Sequence, residues 1–264
     1  MNYEILSSGK NMEFVGDHRP LTGSIFFTTD RTIGRNPQLI SEALRRLYPS
    51  FSAFDGDPKR FDRPHQTHTD RILQVTEAFF SLPEEERKAL MEGIDAVVSD
   101  VRNVCLGIST ADCIPVLVYD KAHHCAAAIH AGWRGTVVRI VEKAIQKMQE
   151  LYATAPEQCE AVIGPGISQQ SFEVGWEVYK AFEEAGFPMQ DVTVEMPSSD
   201  GNGTRPHLDL KEINRLQLLS AGILPENISV STIDTYTDTR FFSARREQKG
   251  TEKCGRILSG FILS

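Results

Sequence analysis

The chain has 264 residues, of which 41% are hydrophobic and 24% charged, and a formal net charge of −8. That length can bury a substantial core, and the acidic balance, with no dense basic run, argues against nucleic acid or an anionic membrane as the main partner. The opening MNYEILSSGKNMEF is too polar for a signal peptide and no apolar run is long enough to span a bilayer.

In chain order, the first strand signal is Ser24–Thr28. Pro37 to Tyr48 carries Leu39, Ile40, Ala43, Leu44 and Leu47 at helical spacing. Ser81-Leu82-Pro83-Glu84 has the form of a capping box, and Gly93 would close the helix that follows. Four strands then come in quick succession: Ala96–Ser99, Val104–Ile108, Ile114–Tyr119 and Cys125–His130. Thr136 to Leu151 places Val137, Val141, Ala144, Ile145, Met148 and Leu151 on one helical face. Glu160–Ile163 is a strand, and Phe172, Trp176, Tyr179 and Phe182 form a second helical stripe, read as core, that ends near Gly186. The segment Asp191–Arg205, rich in Ser, Gly, Asn and Pro, reads as a mobile loop. Asp209-Leu210-Lys211-Glu212 caps a last long helix ending at Gly222, and Ile228–Thr232 and Arg256–Leu263 are strands. Helices and strands alternate, yet several strands follow one another directly. The expected fold is therefore α/β, a mixed sheet covered by helices on both faces, with residues 1–264 as one domain.

Five cysteines (Cys105, Cys113, Cys125, Cys159, Cys254) are odd in number and form no Cys-x-x-Cys pair. This disfavours a disulfide scaffold and points to a reducing, cytoplasmic setting in which most are small buried apolar residues. Cys113 stands apart, because five of the seven histidines fall between residues 65 and 130, in the same window. The strands CIPVLVYD and CAAAIHAG flank the polar turn Lys121–His124. A hairpin centred between Lys121 and Ala122 would set Cys113 opposite His130, with Cβ atoms about 4.5–5.5 Å apart. That separation suits two ligands of one zinc, and equally a thiol–imidazole nucleophile pair. A slip of one residue would put them on opposite faces. His65 or His68 could supply a third ligand, and spacing does not choose between them or exclude ordinary loop histidines.

His130 leads through Ala131-Gly132-Trp133-Arg134-Gly135 into the helix expected from Thr136. A glycine-bearing turn into a helix start suits an anion, and Arg134 could grip phosphate; a tight turn with Trp133 packed is the plain alternative. Ile163-Gly164-Pro165-Gly166-Ile167 is a second glycine loop without the spacing of a common phosphate motif. Phe241-Phe242-Ser243-Ala244-Arg245-Arg246 sets two arginines after an aromatic pair, with a solvated basic edge as the alternative.

His65-Gln66-Thr67-His68, Asp95-Ala96-Val97-Val98, Thr110-Ala111-Asp112-Cys113-Ile114-Pro115, Ala128 to Gly135, Gly164 to Ile167, Phe172 to Gly175, Phe242 to Arg246 and Gly255-Arg256 occur in this order. In them the chain resembles the laccase-domain purine nucleoside phosphorylase family, also filed as multicopper polyphenol oxidases. The resemblance implies a three-layer α/β/α fold similar to cysteine-dependent toxin deamidases. It implies one zinc, in preference to copper, on His68, Cys113 and His130, which selects His68 over His65. It further implies phosphorolysis of adenosine and related purine nucleosides, with adenosine deamination and methylthioadenosine cleavage as side activities. On this basis Cys113, His130 and Arg134 are catalytic, and Arg134, Ser243 and Arg245 hold nucleoside or phosphate. The family's N-terminal Thr-Arg-x-Gly-Gly turn is nearly absent, with Phe27–Arg31 as its only trace, and Asp234-Thr235 stands where Cys-Thr is usual. Three other functions compete. One is a metal-free hydrolase or deamidase with Cys113 as nucleophile and His130 as base. Another is a copper phenol oxidase, for which seven histidines are few. The third is a structural metal, which would need a fourth protein ligand such as Asp112 or His65.

Overall fold

The structure, a computed structural model, describes residues 3–7, 24–47, 61–251, 253 and 255–263. Tyr48, Cys254 and most of the polar N-terminal stretch lie outside the described residues. The chain runs β1 (Tyr3–Leu6), β2 (Ser24–Thr29), α1 (Pro37–Leu47), β3 (Phe61–Asp62), β4 (Ile72–Gln74), α2 (Glu77–Phe80), α3 (Glu84–Leu90), β5 (Ala96–Ser99) and β6 (Cys105–Thr110). It continues with β7 (Ile114–Asp120), β8 (Cys125–Ala131), α4 (Trp133–Val137), α5 (Ile140–Tyr152), β9 (Cys159–Ile163), α6 (Trp176–Glu184) and α7 (Met189–Val192). Last come β10 (Thr193–Pro197), β11 (Thr204–Leu208), α8 (Leu210–Ser220), β12 (Ile228–Val230), α9 (Ala244–Gln248) and β13 (Ile257–Leu263).

The α/β class with mixed pairing is as expected, and the β layer is double. One sheet has the order β1-β2-β13-β6-β3 and the other β12-β9-β7-β8-β5-β4. Between them lie Phe26, Leu106 and Phe261 from the first and Leu117, Tyr119 and Ala128 from the second. The outer face of the six-stranded sheet, with Val116, Val118 and Ile129, packs on Ile140, Val141, Ile145, Phe182 and Ile213 of the helices. The outer face of the other packs Ile25, Phe27 and Ile262 against Ile40 and Leu44 of α1. Strands such as β7 and β8 are buried on both faces, which is why they read as continuous apolar runs and not as alternating ones. Each large side chain so buried contributes about 1.5–3 kcal/mol.

Local chemistry explains where the elements depart from the periodicity. The helix expected from Thr136 starts earlier, at Trp133, and breaks at Arg139, which adopts φ 62° before α5 begins. The Arg139 side chain anchors the break: it bonds Glu142 Oε1 at 2.6 Å and the Ala185 carbonyl at 3.2 Å, and it stacks on Phe187. Ser81 does not cap α3. It closes the short helix α2, and Pro83 precedes α3 with no side-chain cap. The expected loop at 191–205 is largely the antiparallel hairpin β10–β11, with the Ser, Gly and Asn residues confined to its turn. There Asp200 Oδ1 accepts from Ser198 Oγ at 2.8 Å and Asn202 N at 2.8 Å. Asp209 caps α8 as expected, accepting from Glu212 N at 2.9 Å. No helix among the described residues is long and apolar enough to cross a membrane.

Candidate active site

Strands β7 and β8 pair antiparallel with Pro115 opposite His130 and Asp120 opposite Cys125. The register differs by two residues from the expected one, because the Asp120 carboxylate closes a four-residue turn. Its Oδ1 accepts from Ala122 N at 2.9 Å and His123 N at 3.1 Å, and His124 takes φ 52°. A shift of two keeps each side chain on its face. Cys113, just ahead of β7, therefore reaches His130 diagonally, with Gly132 in the directly opposed position.

The third member is His68, on the loop before β4. The ligand-type atoms of His68, Cys113 and His130 all lie within 4.8 Å of one another, and Cys113 Sγ is 3.8 Å from His68 Nε2. A thiolate and an imidazole on one tetrahedral zinc are about 3.5 Å apart. The cluster thus fits a metal in donor type and spacing. His65 is outside it, exposed, with Nδ1 2.8 Å from Glu92 Oε1. Gly132 makes room: a Cβ there would stand 2.9 Å from His68 Cδ2 and 3.1 Å from Cys113 Sγ. Gly132→Ala is expected to weaken metal binding at the cluster about ten-fold or more, measured by competition with a chelator. Undiminished affinity would show that the added methyl leaves the ligands in place.

Sequence reasoning did not give Asp95 a role, yet it organises the cluster. Its carboxylate is fully buried and accepts from His130 Nδ1 at 2.7 Å, His68 N at 3.0 Å, Thr69 N at 2.7 Å, Thr69 Oγ1 at 2.8 Å and Thr67 N at 3.2 Å. Burial alone would push this carboxyl up, but the bonds from His130 and Thr69 outweigh it and hold it at about 2. Donation from Nδ1 leaves His130 Nε2 to face the cluster. The same carboxylate stabilises the His68 turn, where that residue adopts φ 63°. An acid directly before the wholly buried strand β5 was the available signal. In the bare cluster, burial opposes charge, but His130 and His68 draw the Cys113 thiol well below its ordinary range, and Cys113 and Asp95 raise His130. The other described cysteines (Cys105, Cys125, Cys159) are free and buried; burial pushes Cys125 and Cys159 each up to about 12.

Asp112 is not placed as a fourth ligand, since its carboxylate is committed elsewhere. It accepts from Thr235 Oγ1 at 2.7 Å, Ser243 Oγ at 2.8 Å and Arg245 N at 2.7 Å. Ser243 is buried at 2% exposure and does not line the cavity beside the cluster. Its hydroxyl also accepts from Arg246 N and so caps α9. The glycine loop after β9 backs the same turn: a Cβ on Gly166 would lie 2.4 Å from Ile114 Cδ1 and 3.1 Å from the Asp112 carbonyl. Thr235 and Ser243 thus act on Cys113 through Asp112.

The cavity has a volume of about 720 Å³ and includes all three cluster residues in its wall. Ile167, Phe172, Val174, Val178 and Leu210 form an apolar part, and Arg35, Arg63, Arg134, Arg245 and Arg256 a cationic part. Arg134 is exposed and lies over the Trp133 ring at 4.2 Å. Arg245 donates to the Glu173 carbonyl at 3.0 Å and lies 6.0 Å over Phe172. Arg246, its neighbour, instead binds the backbone carbonyls of Thr235, Tyr236 and Phe241.

An α/β fold of stacked mixed sheets, with one two-histidine, one-cysteine cluster among the described residues and an arginine-lined cavity, defines the class. Within that class, the chain belongs to the family described as multi-copper polyphenol oxidoreductase laccase, whose model matches residues 28–264. A purine nucleoside phosphorylase of Bacteroides thetaiotaomicron is 40% identical over 232 residues, 88% of this chain and 80% of that protein. Adenosine deaminase RL5, from an unknown prokaryotic organism, is 39% identical over 184 residues, 69% of this chain and 68% of that one. The crystal structure of YlmD from Geobacillus stearothermophilus superposes with TM-score 0.74 at 25% identity, covering 98% of this chain and 99% of that one.

Proposed function

We propose that this chain is a zinc-dependent purine nucleoside phosphorylase that converts adenosine and phosphate to adenine and ribose 1-phosphate in the cytoplasm. Adenosine deamination and methylthioadenosine cleavage are side activities of the same site. The observation that carries this reading is the His68–Cys113–His130 cluster in the wall of a cavity that is lined by both apolar side chains and arginines. Three protein donors leave a fourth position open, the layout of a catalytic zinc site. When bound there, zinc would supply Lewis-acid polarisation of an oxygen or water next to the substrate.

The chain's own groups account for the rest. Phosphorolysis brings a phosphate dianion to the sugar C1′ while the purine departs with the bond electrons. Arg134, stacked over Trp133, and Arg245, tethered to the Glu173 carbonyl, offer guanidinium groups to that dianion. Phe172, Val174 and Val178 offer an apolar wall to the purine. Ser243 contributes by positioning, through Asp112, the turn that carries Cys113. The laccase name of the family points to copper, but one three-donor group among the described residues falls short of several copper centres.

Adenine release from adenosine, followed by chromatography with and without phosphate, tests the assignment. Release is expected only with phosphate, in step with ribose 1-phosphate. Equal rates in its absence would reject phosphorolysis, and inosine as the main product would make deamination the principal activity.

A further inference from the structure

The three cluster residues stand on different supports. Cys113 follows β6, a strand of the five-stranded sheet, whereas His68 precedes β4 and His130 lies in β8, both of the six-stranded sheet. The Asp95 carboxylate joins His68 to His130, accepting from His68 N at 3.0 Å and His130 Nδ1 at 2.7 Å. The Asp112 carboxylate joins the Cys113 turn to Thr235, Ser243 and Arg245. Neither acid ties His68 to Cys113. Packing does not set that spacing either: His68 is exposed, and Gly132, which adjoins both side chains, has no Cβ to act as a wedge.

One side chain bridges the two supports. Gln66 stands two residues before His68, and Ser109 four residues before Cys113. Gln66 Nε2 donates to the Ser109 carbonyl at 2.8 Å, and Gln66 Oε1 accepts from Ser109 N at 2.7 Å. A carbonyl only accepts and a backbone N–H only donates, so the orientation of the amide is fixed. Strand β3 pairs with β6 at Cys105 and Leu106, and at Ser109 the Gln66 amide takes the place of a neighbouring strand. On the other side of β6, β13 sets Leu258 opposite Ser109. The His68 segment is itself stiff. His65 N donates to the Met91 carbonyl at 3.0 Å and Gly93 N to the His65 carbonyl at 2.9 Å, while Thr67 N and Thr69 N bond Asp95. A stiff loop pinned to a strand held in a sheet thus carries His68 Nε2 to 3.8 Å from Cys113 Sγ.

We infer that Gln66 is the positioning residue that sets the spacing of His68 and Cys113, and with it the affinity of the cluster for a divalent metal ion. This role rests on the metal reading of the cluster. Without the bridge, a metal must draw two independent segments together as it binds, and affinity falls accordingly.

Gln66→Leu removes both bonds, and Ser109, half-buried in the cavity wall, can turn to water instead. Zinc affinity, measured by competition with a chelator, is expected to fall about ten-fold or more. The melting temperature of the metal-free chain should change little. Bound cobalt(II) should show the absorption of a four-coordinate thiolate site in the unaltered chain and a weakened ligand-field band in the variant. In a His68→Ala background, Gln66→Leu is expected to lower zinc affinity no further, because its action passes through His68. An equal loss in both backgrounds would make Gln66 a general support of the fold and overturn the assignment. Gln66→Glu keeps an acceptor for Ser109 N but has no donor for the Ser109 carbonyl. Its affinity is expected to be intermediate, and it carries the same comparison if the leucine chain does not fold. Zinc bound equally well by the unaltered chain and by Gln66→Leu removes this role alone. An unaltered chain that binds neither zinc nor cobalt removes the metal reading, and the role of Gln66 with it.

Discussion

Cys113→Ala is expected to lower turnover about 10³-fold or more and to leave little bound zinc, because a lost ligand removes Lewis-acid stabilisation of several kcal/mol. The prediction concerns chemistry more than folding. Cys113 is only half-buried, and its sulfur packs beside Gly132 and His68 without filling a core position. His130→Ala should lose activity equally, but it also strands the buried Asp95 carboxylate and so costs about 3–5 kcal/mol of stability. His68→Ala is the discriminating variant. With a metal on three donors it fails as badly as Cys113→Ala in both turnover and metal content by mass spectrometry. A Cys113 nucleophile with a His130 base would survive the loss of His68 with most of its rate, and that result would replace the metal centre with a thiol–imidazole pair.

Asp95→Asn is expected to weaken zinc binding about 10–100-fold and to destabilise the fold by about 3 kcal/mol. The carboxylate is acceptor-only and meets donors on both oxygens, three of them backbone N–H groups of residues 67–69. An amide must turn its NH₂ toward one side. Facing the backbone, it leaves buried N–H groups unpaired. Facing His130, it makes Nδ1 the acceptor and moves the imidazole proton to Nε2, the nitrogen that looks into the cluster. Thermal melting should fall by roughly 6–12 °C for a chain of this size. The pH dependence has a definite sign. The folded carboxyl sits near 2, below its unfolded value, so its contribution is complete above about pH 4 and is lost as pH falls toward 2. The gap between unaltered and Asn chains should therefore narrow in acid. Matching melting temperatures at pH 7 would show that Asp95 does not hold the cluster together.

Much of this was legible in the residues. Strands β7 and β8 announce themselves as apolar runs around a polar turn, and period-two geometry preserved the face of Cys113 and His130 even though the turn moved the register by two. The displacement came from Asp120, whose carboxylate caps the turn, a contact that strand patterning does not encode. The break at Arg139 was not legible, because a left-handed residue without glycine is enforced by tertiary contacts, here Ala185 and Phe187. The β10–β11 hairpin was hidden by its own turn, whose Ser-Gly-Asn composition outweighs the short alternation of Val194 and Met196. Asp112 is adjacent in sequence to Cys113, yet its partners are 123 to 133 positions away, and the partners of Asp95 are 26 to 35 positions away. Such long-range satisfaction of a buried acid appears only once the chain is folded.

Strand β13 lies between β2 and β6 in its sheet, and β12 lies at the edge of the other. During synthesis, β2 and β6 are made long before the strand that joins them. Most of the six-stranded sheet, whose neighbours β7, β8 and β5 are close in sequence, can close before β12 joins its edge. The other sheet must wait with unpaired edges across some 150 residues of chain, a costly loop closure and an opening for misassociation. Asp112 waits as well, since Thr235, Ser243 and Arg245 are its partners. The cysteine turn is therefore tied down only after the segment holding Thr235, Ser243 and Arg245 has docked, so a nascent chain carries an unfinished centre until then.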